Sequence, residues 1–130
     1  RDAVNGDMKT GWFTVDGVWY CANTSGVMLT GWVHDQDFWY YLSSSGAMAT
    51  GWFKAGGSWY YANESGVMQT GWLWDNYAWY YLGDSGAMCT GWQWINGDWY
   101  YLFPSGTMAT GWQYLSGTWY YLARSGAWVA

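Results

Sequence analysis

The sequence predicts an all-β fold of stacked β-hairpins, and three observations lead to this class. A twenty-residue pattern recurs without insertion or deletion along the 130-residue chain. Each copy holds two short aromatic runs around a two-residue turn, which is typical of a β-hairpin. A unit of this length cannot bury a core alone, so we expect successive hairpins to stack on one another.

Four features recur along the chain at a fixed interval of twenty residues. Gly-Trp recurs at Trp12, Trp32, Trp52, Trp72, Trp92 and Trp112, and Trp-Tyr recurs at Trp19, Trp39, Trp59, Trp79, Trp99 and Trp119. Ser-Gly recurs at Gly26, Gly46, Gly66, Gly86, Gly106 and Gly126, and a methionine recurs at Met8, Met28, Met48, Met68, Met88 and Met108. We therefore interpret residues 1–130 as a single module with repeats at about 10–29, 30–49, 50–69, 70–89, 90–109 and 110–130.

The turn residues favour tight hairpin tips with positive φ in most repeats. Gly56-Gly57 separates two aromatic runs in the third repeat, and Asp16-Gly17, Asn96-Gly97 and Ser116-Gly117 fill the same positions elsewhere. Gln36-Asp37 and Asn76-Tyr77 fit such a turn less well, so we expect those two tips to relax. A polar stretch after the second strand, such as 63–66, predicts the loop that links one hairpin to the next.

Pairing across a two-residue turn also predicts which side chains share a face. In the third repeat, Trp52 is expected to oppose Tyr61, and Lys54 to oppose Trp59. Trp52, Trp59 and Tyr61 then lie on one face of the hairpin, and Tyr60 lies on the other. The face with two tryptophans and a tyrosine hardly varies between repeats.

Composition excludes several classes of partner. Aromatic residues make up 25% of the chain and charged residues 10%, and the net charge is −5. A nucleic-acid-binding protein needs Lys and Arg to neutralise phosphates, and this chain has four such residues. No stretch approaches the 18 or so apolar residues of a membrane span.

No constellation in the sequence predicts catalysis or a metal site. His34 is the only histidine and is expected at the surface, and no phosphate-binding loop or Ser/His/Asp arrangement occurs. Cys21 and Cys89 are expected to be unpaired thiols, since one histidine and two scattered cysteines are too few for a metal. Neither an enzyme nor a cofactor is therefore predicted.

The aromatic face has two interpretations that the residues alone leave open. The rings can form the core, because Trp and Tyr bury much apolar area. Alternatively, two tryptophans, a tyrosine and a methionine can form an aromatic cage for a quaternary ammonium group. The acidic residues fit a cationic ligand, but charges at hairpin tips also serve solubility; they are Asp16, Asp35, Asp37, Asp75 and Asp98.

The string Thr-Gly-Trp, Trp-Tyr-Tyr, Ser-Gly and Met, as in 50–68, resembles the choline-binding repeat of bacterial surface proteins, also called the cell-wall-binding repeat. The resemblance covers essentially the whole chain. It implies a solenoid of stacked hairpins with a left-handed superhelix. It also implies a non-catalytic module that anchors murein hydrolases, phage endolysins or adhesins to phosphocholine on teichoic and lipoteichoic acids, outside the cell.

The resemblance further implies choline sites between successive hairpins, each with two Trp from one hairpin, a Tyr from the next and a Met. Carried over to this sequence, the five sites are Trp12, Trp19, Tyr41 and Met48; Trp32, Trp39, Tyr61 and Met68; Trp52, Trp59, Tyr81 and Met88; Trp72, Trp79, Tyr101 and Met108; and Trp92, Trp99 and Tyr121, where Trp128 replaces the methionine. The pair Trp112 and Trp119 has no following hairpin in this chain and is expected to be incomplete.

Two residues depart from the repeat pattern and bear on this scheme of sites. Cys21 stands where later repeats have the second Tyr; we expect no loss, since that Tyr would serve a preceding site. Trp128 follows the last hairpin and is expected to cover its end.

Glycan binding is the alternative function, since aromatic faces also stack on sugars and similar repeats bind α-glucans. A homodimer through the solenoid ends is a further open alternative.

Overall fold

A computed structural model of the chain describes residues 9–130, so that Met8 and the residues before it lie outside the described range. The chain forms two compact units, Arg1–Gln69 and Thr70–Ala130. Each unit contains three complete repeats. Within the described range, no helix meets the length and apolarity that a membrane span requires.

The first unit consists of three antiparallel hairpins. Its strands are β1 (Gly11–Val15), β2 (Val18–Ala22), β3 (Gly31–Asp35), β4 (Phe38–Leu42), β5 (Gly51–Ala55) and β6 (Ser58–Ala62). They pair only as consecutive strands, giving hairpins 1, 2 and 3.

The second unit repeats this architecture and adds a short final strand. Its strands are β7 (Gly71–Asp75), β8 (Ala78–Leu82), β9 (Gly91–Ile95), β10 (Asp98–Leu102), β11 (Gly111–Leu115), β12 (Thr118–Leu122) and β13 (Trp128–Val129). Consecutive strands form hairpins 4, 5 and 6, and β13 pairs with β12. The all-β class and its repeated hairpins are therefore confirmed.

The predicted register is also confirmed, and with it the assignment of side chains to faces. In hairpin 3, Trp52 pairs with Tyr61 and Lys54 with Trp59. Because cross-strand partners project to the same side, both tryptophans and the second tyrosine share one face. We call this the Trp face, and we call the opposite side, which carries Tyr60, the Tyr face.

The linking loop returns along the hairpin that precedes it. After β2, the amide of Asn23 donates to the Val27 carbonyl, which closes a tight turn. The chain then runs back beside β2, where Met28 bridges Ala22 and the Leu29 amide donates to the Cys21 carbonyl. The same bridge recurs after hairpins 2 to 5, and β13 occupies this place after hairpin 6. Each repeat thus satisfies its loop backbone locally.

In addition to Ala109, which is 1% exposed, one aliphatic position is buried in every repeat. It is the last residue of the second strand, and its side chain is at most 3% exposed at Ala22, Leu42, Ala62, Leu82, Leu102 and Leu122. Most tryptophans are much more exposed than this position. The aromatic rings therefore do not simply form the core. In each unit, this recurring aliphatic position supplies side chains that are almost fully buried.

Backbone hydrogen bonds join successive hairpins within each unit. The Met48 amide donates to the Trp19 carbonyl at 2.9 Å, and the Met68 amide to the Trp39 carbonyl at 2.9 Å. In the second unit, Met108 donates to the Trp79 carbonyl at 2.9 Å. These three methionine segments are thus fixed both to their own hairpin and to the one before it.

All six hairpin tips have positive φ at both turn positions, including the two expected to relax. Gln36 and Asp37 have φ of 49° and 73°, and Asn76 and Tyr77 have 49° and 65°. That expectation was wrong, because a two-residue loop between fully paired strands requires left-handed backbone whatever residues fill it. Tyr77 is the least suited of these residues, since its Cβ disfavours this region.

We expect Tyr77→Gly to stabilise the protein by about 0.5–1 kcal/mol, because glycine removes the strain of a left-handed residue. The ring is 89% exposed, so its loss removes little packing. Urea unfolding measures the change, with Tyr77→Ala as the control that loses the ring but keeps the Cβ. Equal stability of the two variants would contradict a strained tip.

Candidate functional site

The aromatic rings meet between successive hairpins of the same unit. We call these contact zones joints 1/2 and 2/3 in the first unit, and joints 4/5 and 5/6 in the second. At every joint the Gly-Trp tryptophan of one hairpin lies 4.9 Å, between ring centroids, from the first tyrosine of the next; the pairs are Trp12–Tyr40, Trp32–Tyr60, Trp72–Tyr100 and Trp92–Tyr120. The Trp face of each hairpin therefore packs on the Tyr face of its successor.

The second tyrosine lies elsewhere than the sequence scheme placed it. Tyr41 contacts Trp32 of its own hairpin at 5.0 Å, and Tyr101 contacts Trp92 of its own hairpin at 5.2 Å. The same own-hairpin pairing holds for Tyr61, Tyr81 and Tyr121, with Trp52, Trp72 and Trp112. Side-chain alternation is the physical reason, because it puts the second tyrosine on the Trp face, turned away from the preceding hairpin.

The explanation offered for Cys21 changes for the same reason. Cys21 pairs with Trp12 and is buried on the Trp face of hairpin 1, which packs on hairpin 2. At joint 2/3 the equivalent Tyr41 stacks on Phe53 at 5.0 Å with an interplanar angle of 17°. The second tyrosine thus serves the following joint, and joint 1/2 carries a thiol in its place.

Joint 4/5 contains an open cavity whose walls are nearly perpendicular rings. Trp72 and Trp79 lie 6.3 Å apart at 89°, and Trp72 meets Tyr100 at 67°. The cavity, of about 350 Å³, is lined by Trp72, Trp79, Tyr100, Met108 and Ser125. Its volume is near the lower end of the range of about 300–1,000 Å³ for small-molecule sites. Three of the four residues predicted for this site line it, with Tyr100 instead of Tyr101.

Joint 5/6 contains a similar cavity with a tryptophan in place of methionine. The cavity, of about 330 Å³, is lined by Trp92, Trp99, Tyr120 and Trp128. Trp128 belongs to β13, which pairs with β12 at the position that methionine segments occupy in earlier repeats. The expected replacement of methionine by Trp128 therefore has a structural counterpart, and the tyrosine is again the first of its pair.

The first unit has the same arrangement of nearly perpendicular rings at one of its joints. At joint 2/3, Trp32 lies 6.4 Å from Trp39 at 84°, and it meets Tyr60 at 73°. The methionine assignments agree with the backbone, since Met48 and Met68 are hydrogen-bonded to Trp19 and Trp39 of the hairpins they were predicted to serve.

Two parts of the sequence scheme lie outside these four joints. The third predicted site, with Trp52, Trp59, Tyr81 and Met88, draws on both units and stays a prediction. Trp112 and Trp119 of hairpin 6 are 64% and 61% exposed, and the expectation that this pair forms an incomplete site stays a prediction.

A further ring, which the sequence scheme did not single out, lies against the outer side of several cage tryptophans. Trp74 contacts Trp79 at 5.3 Å, and Trp94 contacts Trp99 at 5.3 Å, each with an interplanar angle of 57°. His34 lies 4.6 Å from Trp39 at the same position, with its side chain exposed as expected. The alternation rule could have found this position, because its residue is the cross-strand partner of the Trp-Tyr tryptophan.

The two cavities of the second unit have no charged lining residue, and aromatic side chains make up most of their lining. Joint 1/2 differs, because the Trp12 indole N–H donates to a carboxylate oxygen of Asp35 at 3.2 Å. Burial, and to a lesser extent the Asp35 charge, raises the pKa of the Cys21 thiol. Burial also raises the pKa of Cys89, and both cysteines are free, as the sequence predicted.

The methionine wall depends on a glycine of the next repeat. Gly126 has φ of 93°, and a Cβ added there would overlap the Met108 sulfur. Gly66 and Gly106 stand in the same relation to Met48 and Met88. The Ser-Gly glycine is therefore required for two reasons: it adopts a left-handed backbone conformation, and it leaves room for the methionine side chain.

Comparisons with known proteins bear directly on these joints. The family model of the choline-binding repeat matches residues 9–53, 29–64, 49–90 and 89–130. CbpJ from Streptococcus pneumoniae is 47% identical with a TM-score of 0.91, over 95% of this chain and 44% of that one. Choline binding protein F from Streptococcus pneumoniae, solved in the presence of a peptidoglycan analogue, is 46% identical with a TM-score of 0.91, over 95% and 42%.

A more distant structure contains bound choline. The cell wall endolysin from phage Cp-1, complexed with choline, is 31% identical with a TM-score of 0.65, over 97% of this chain and 44% of that one. This chain spans less than half the length of each of these three proteins. No curated protein sequence matches it.

We expect Gly126→Ala to destabilise the second unit by about 1–3 kcal/mol more than Gly117→Ala does, because only the former also overlaps a side chain. Gly117 has a comparable φ of 87° and nothing within 4 Å of an added Cβ, so it isolates the backbone cost. Urea unfolding measures both variants. The combined change Gly126→Ala with Met108→Ala should recover part of the difference, and equal losses in both single variants would exclude the proposed close packing.

Proposed function

The chain belongs to the choline-binding repeat family, and we propose that it is a non-catalytic module whose joints bind choline groups. The observation that carries the proposal is the cluster of rings at the joints, where tryptophans of one hairpin meet the first tyrosine of the next. At joint 4/5 the nearly perpendicular Trp72 and Trp79 meet Tyr100, with Met108 as a further wall. Joint 2/3 has the same nearly perpendicular tryptophan pair with Tyr60. Joints 1/2 and 5/6 share the contact between the Gly-Trp tryptophan and the first tyrosine, at Tyr40 and Tyr120.

The chemistry of the cage matches a trimethylammonium group. Its positive charge is spread over methyl groups that donate no strong hydrogen bond, so aromatic faces bind it better than isolated polar atoms do. Each ring contact contributes about 0.5–2 kcal/mol. Three such contacts total about 1.5–6 kcal/mol, a range that includes the roughly 4 kcal/mol of a millimolar dissociation constant.

Weak sites in a row favour a polymeric ligand. Phosphocholine groups on teichoic or lipoteichoic acid offer such repetition, and simultaneous engagement of several joints raises the apparent affinity without new contacts. We propose that the chain anchors a parent protein to these polymers at the outside of a bacterial cell, whether it is a surface protein or an endolysin. The similarity to pneumococcal choline-binding proteins and to an endolysin complexed with choline supports this assignment.

The cage geometry supports choline over a glycan. A sugar ring stacks on an open ring face while neighbouring polar side chains bind its hydroxyl groups. At joint 5/6 the lining consists of four aromatic side chains, with no amide or charged group among them. Two tryptophans at 89°, as at joint 4/5, enclose a compact group instead of offering a flat platform.

We expect choline at ten times its dissociation constant to stabilise the protein by about 1.4 kcal/mol for each occupied site, because ligand binds only the folded state. The melting temperature and the tryptophan fluorescence report this binding, and equilibrium dialysis with labelled choline counts the sites. Trp79→Ala should remove the site at joint 4/5. Trp119→Ala is the matched control, since Trp119 holds the same repeat position in hairpin 6, the last hairpin of this chain.

Dextran serves as the competing ligand in the same assays. If dextran stabilises the protein and millimolar choline has no effect, the result would contradict choline as the ligand and indicate a glycan instead. An equal loss of bound choline in the two alanine variants would contradict sites at the joints, because Trp119 lies outside the four joints.

A further inference from the structure

Joint 1/2 holds a carboxylate beside its aromatic rings. Asp35 ends β3 on the Tyr face of hairpin 2, the face that also carries Tyr40. One of its oxygens accepts the indole N–H of Trp12 at 3.2 Å, while Tyr40 lies 4.9 Å from the same indole. Asp35 is half-buried, and its charge raises the pKa of the nearby Cys21 thiol. The hydrogen bond to Trp12 therefore places this charge within the joint, although the sequence grouped Asp35 with the solvated charges of the tips.

The other three joints within the units have no charge at this position. The residue equivalent to Asp35 is Ala55 at joint 2/3, Ile95 at joint 4/5 and Leu115 at joint 5/6. Cavities at joints 4/5 and 5/6 are lined by uncharged residues only. The four joints thus share the contact between tryptophan and first tyrosine, and among them only joint 1/2 has a charged residue at this position.

We propose that Asp35 makes joint 1/2 a charge-assisted site, which binds choline more tightly than the purely aromatic joints and discriminates more strongly against uncharged ligands of the same shape. The inference rests on the proposed function, because it concerns the ligand of the same cages. It adds a specificity-determining residue that the shared repeat pattern does not contain.

Two physical effects act in the same direction. A carboxylate at the edge of the cage attracts the ammonium charge through space, and partial burial weakens the screening by water. The hydrogen bond from Trp12 also polarises the indole toward a more negative ring, since its N–H points at a full negative charge. Both effects act on a cation and neither acts on a neutral ligand.

The test compares choline with 3,3-dimethylbutan-1-ol, its uncharged carbon analogue, in the intact chain. Titrations follow the indole ¹H–¹⁵N signal of Trp12, assigned by its loss in Trp12→Phe, and the signal of Trp72 as the reference joint. Asp35→Asn keeps an acceptor for the Trp12 indole and removes only the charge. We expect it to weaken choline at joint 1/2 by about three- to tenfold, with the analogue changed less than twofold.

Asp37→Asn is the matched control, because it removes the same charge from the exposed tip two residues further on. It should leave the Trp12 titration within twofold of the wild type, and joint 4/5 should be unaffected by either variant. Added salt should weaken choline at joint 1/2 more than at joint 4/5, and Asp35→Asn should remove this difference.

A transplanted charge tests the same inference by gain of affinity. Ala55→Asp places a carboxylate at the equivalent position of joint 2/3, next to the ring that Trp32 presents. We expect choline to bind joint 2/3 about threefold or more tightly, with the neutral analogue unchanged. The Trp32 indole signal measures this change.

The inference is overturned if Asp35→Asn leaves choline binding at joint 1/2 unchanged, or if it weakens choline and the neutral analogue equally. It is also overturned if Asp37→Asn has the same effect, since the charge would then act from any position. Choline binding at all joints with equal discrimination would refute the role of Asp35 and leave the proposed function intact. Absence of choline binding at every joint would refute both.

Discussion

Side chains alternate between the two faces of every hairpin, and the function of this chain depends on that constraint. A repeat carries its two tryptophans on one face and its first tyrosine on the other, so it cannot close a cage by itself. Stacking of the Trp face of one hairpin on the Tyr face of the next brings Trp72 and Trp79 together with Tyr100. A cage therefore arises only where two repeats meet, and its geometry depends on how closely they pack.

That close packing is held by groups that have no direct part in binding. The amide of Met108 is hydrogen-bonded to the carbonyl of Trp79, which fixes the methionine segment to the preceding hairpin. Gly126 leaves room for the Met108 side chain, and Leu102 fills the interior at the end of its strand. The invariant glycines and the single aliphatic position of each repeat thus determine the spacing of the rings, while the rings themselves stay accessible to a ligand.

The period of the sequence and the alternation of side chains were enough to predict the hairpins and their register, whereas the sharing of sites between repeats was implied by the family resemblance. The sequence scheme followed the family resemblance and assigned the second tyrosine of the next hairpin to each cage. The alternation rule already placed one such residue, Tyr101, on the same face as Trp92 of its own hairpin. The strained tip at Tyr77 and the carboxylate of Asp35 beside Trp12 could not be predicted. The first follows from strand pairing that overrides local preference, and the second from a contact between residues 23 positions apart.

The central claim is that one choline group is held by rings from two successive hairpins. Intermolecular nuclear Overhauser effects from the trimethylammonium protons test it directly at joint 4/5. The account predicts signals to the ring protons of Trp72, Trp79 and Tyr100 at the same choline concentration, and none to Tyr101. Signals confined to the rings of one hairpin, or a signal to Tyr101 in place of Tyr100, would contradict it.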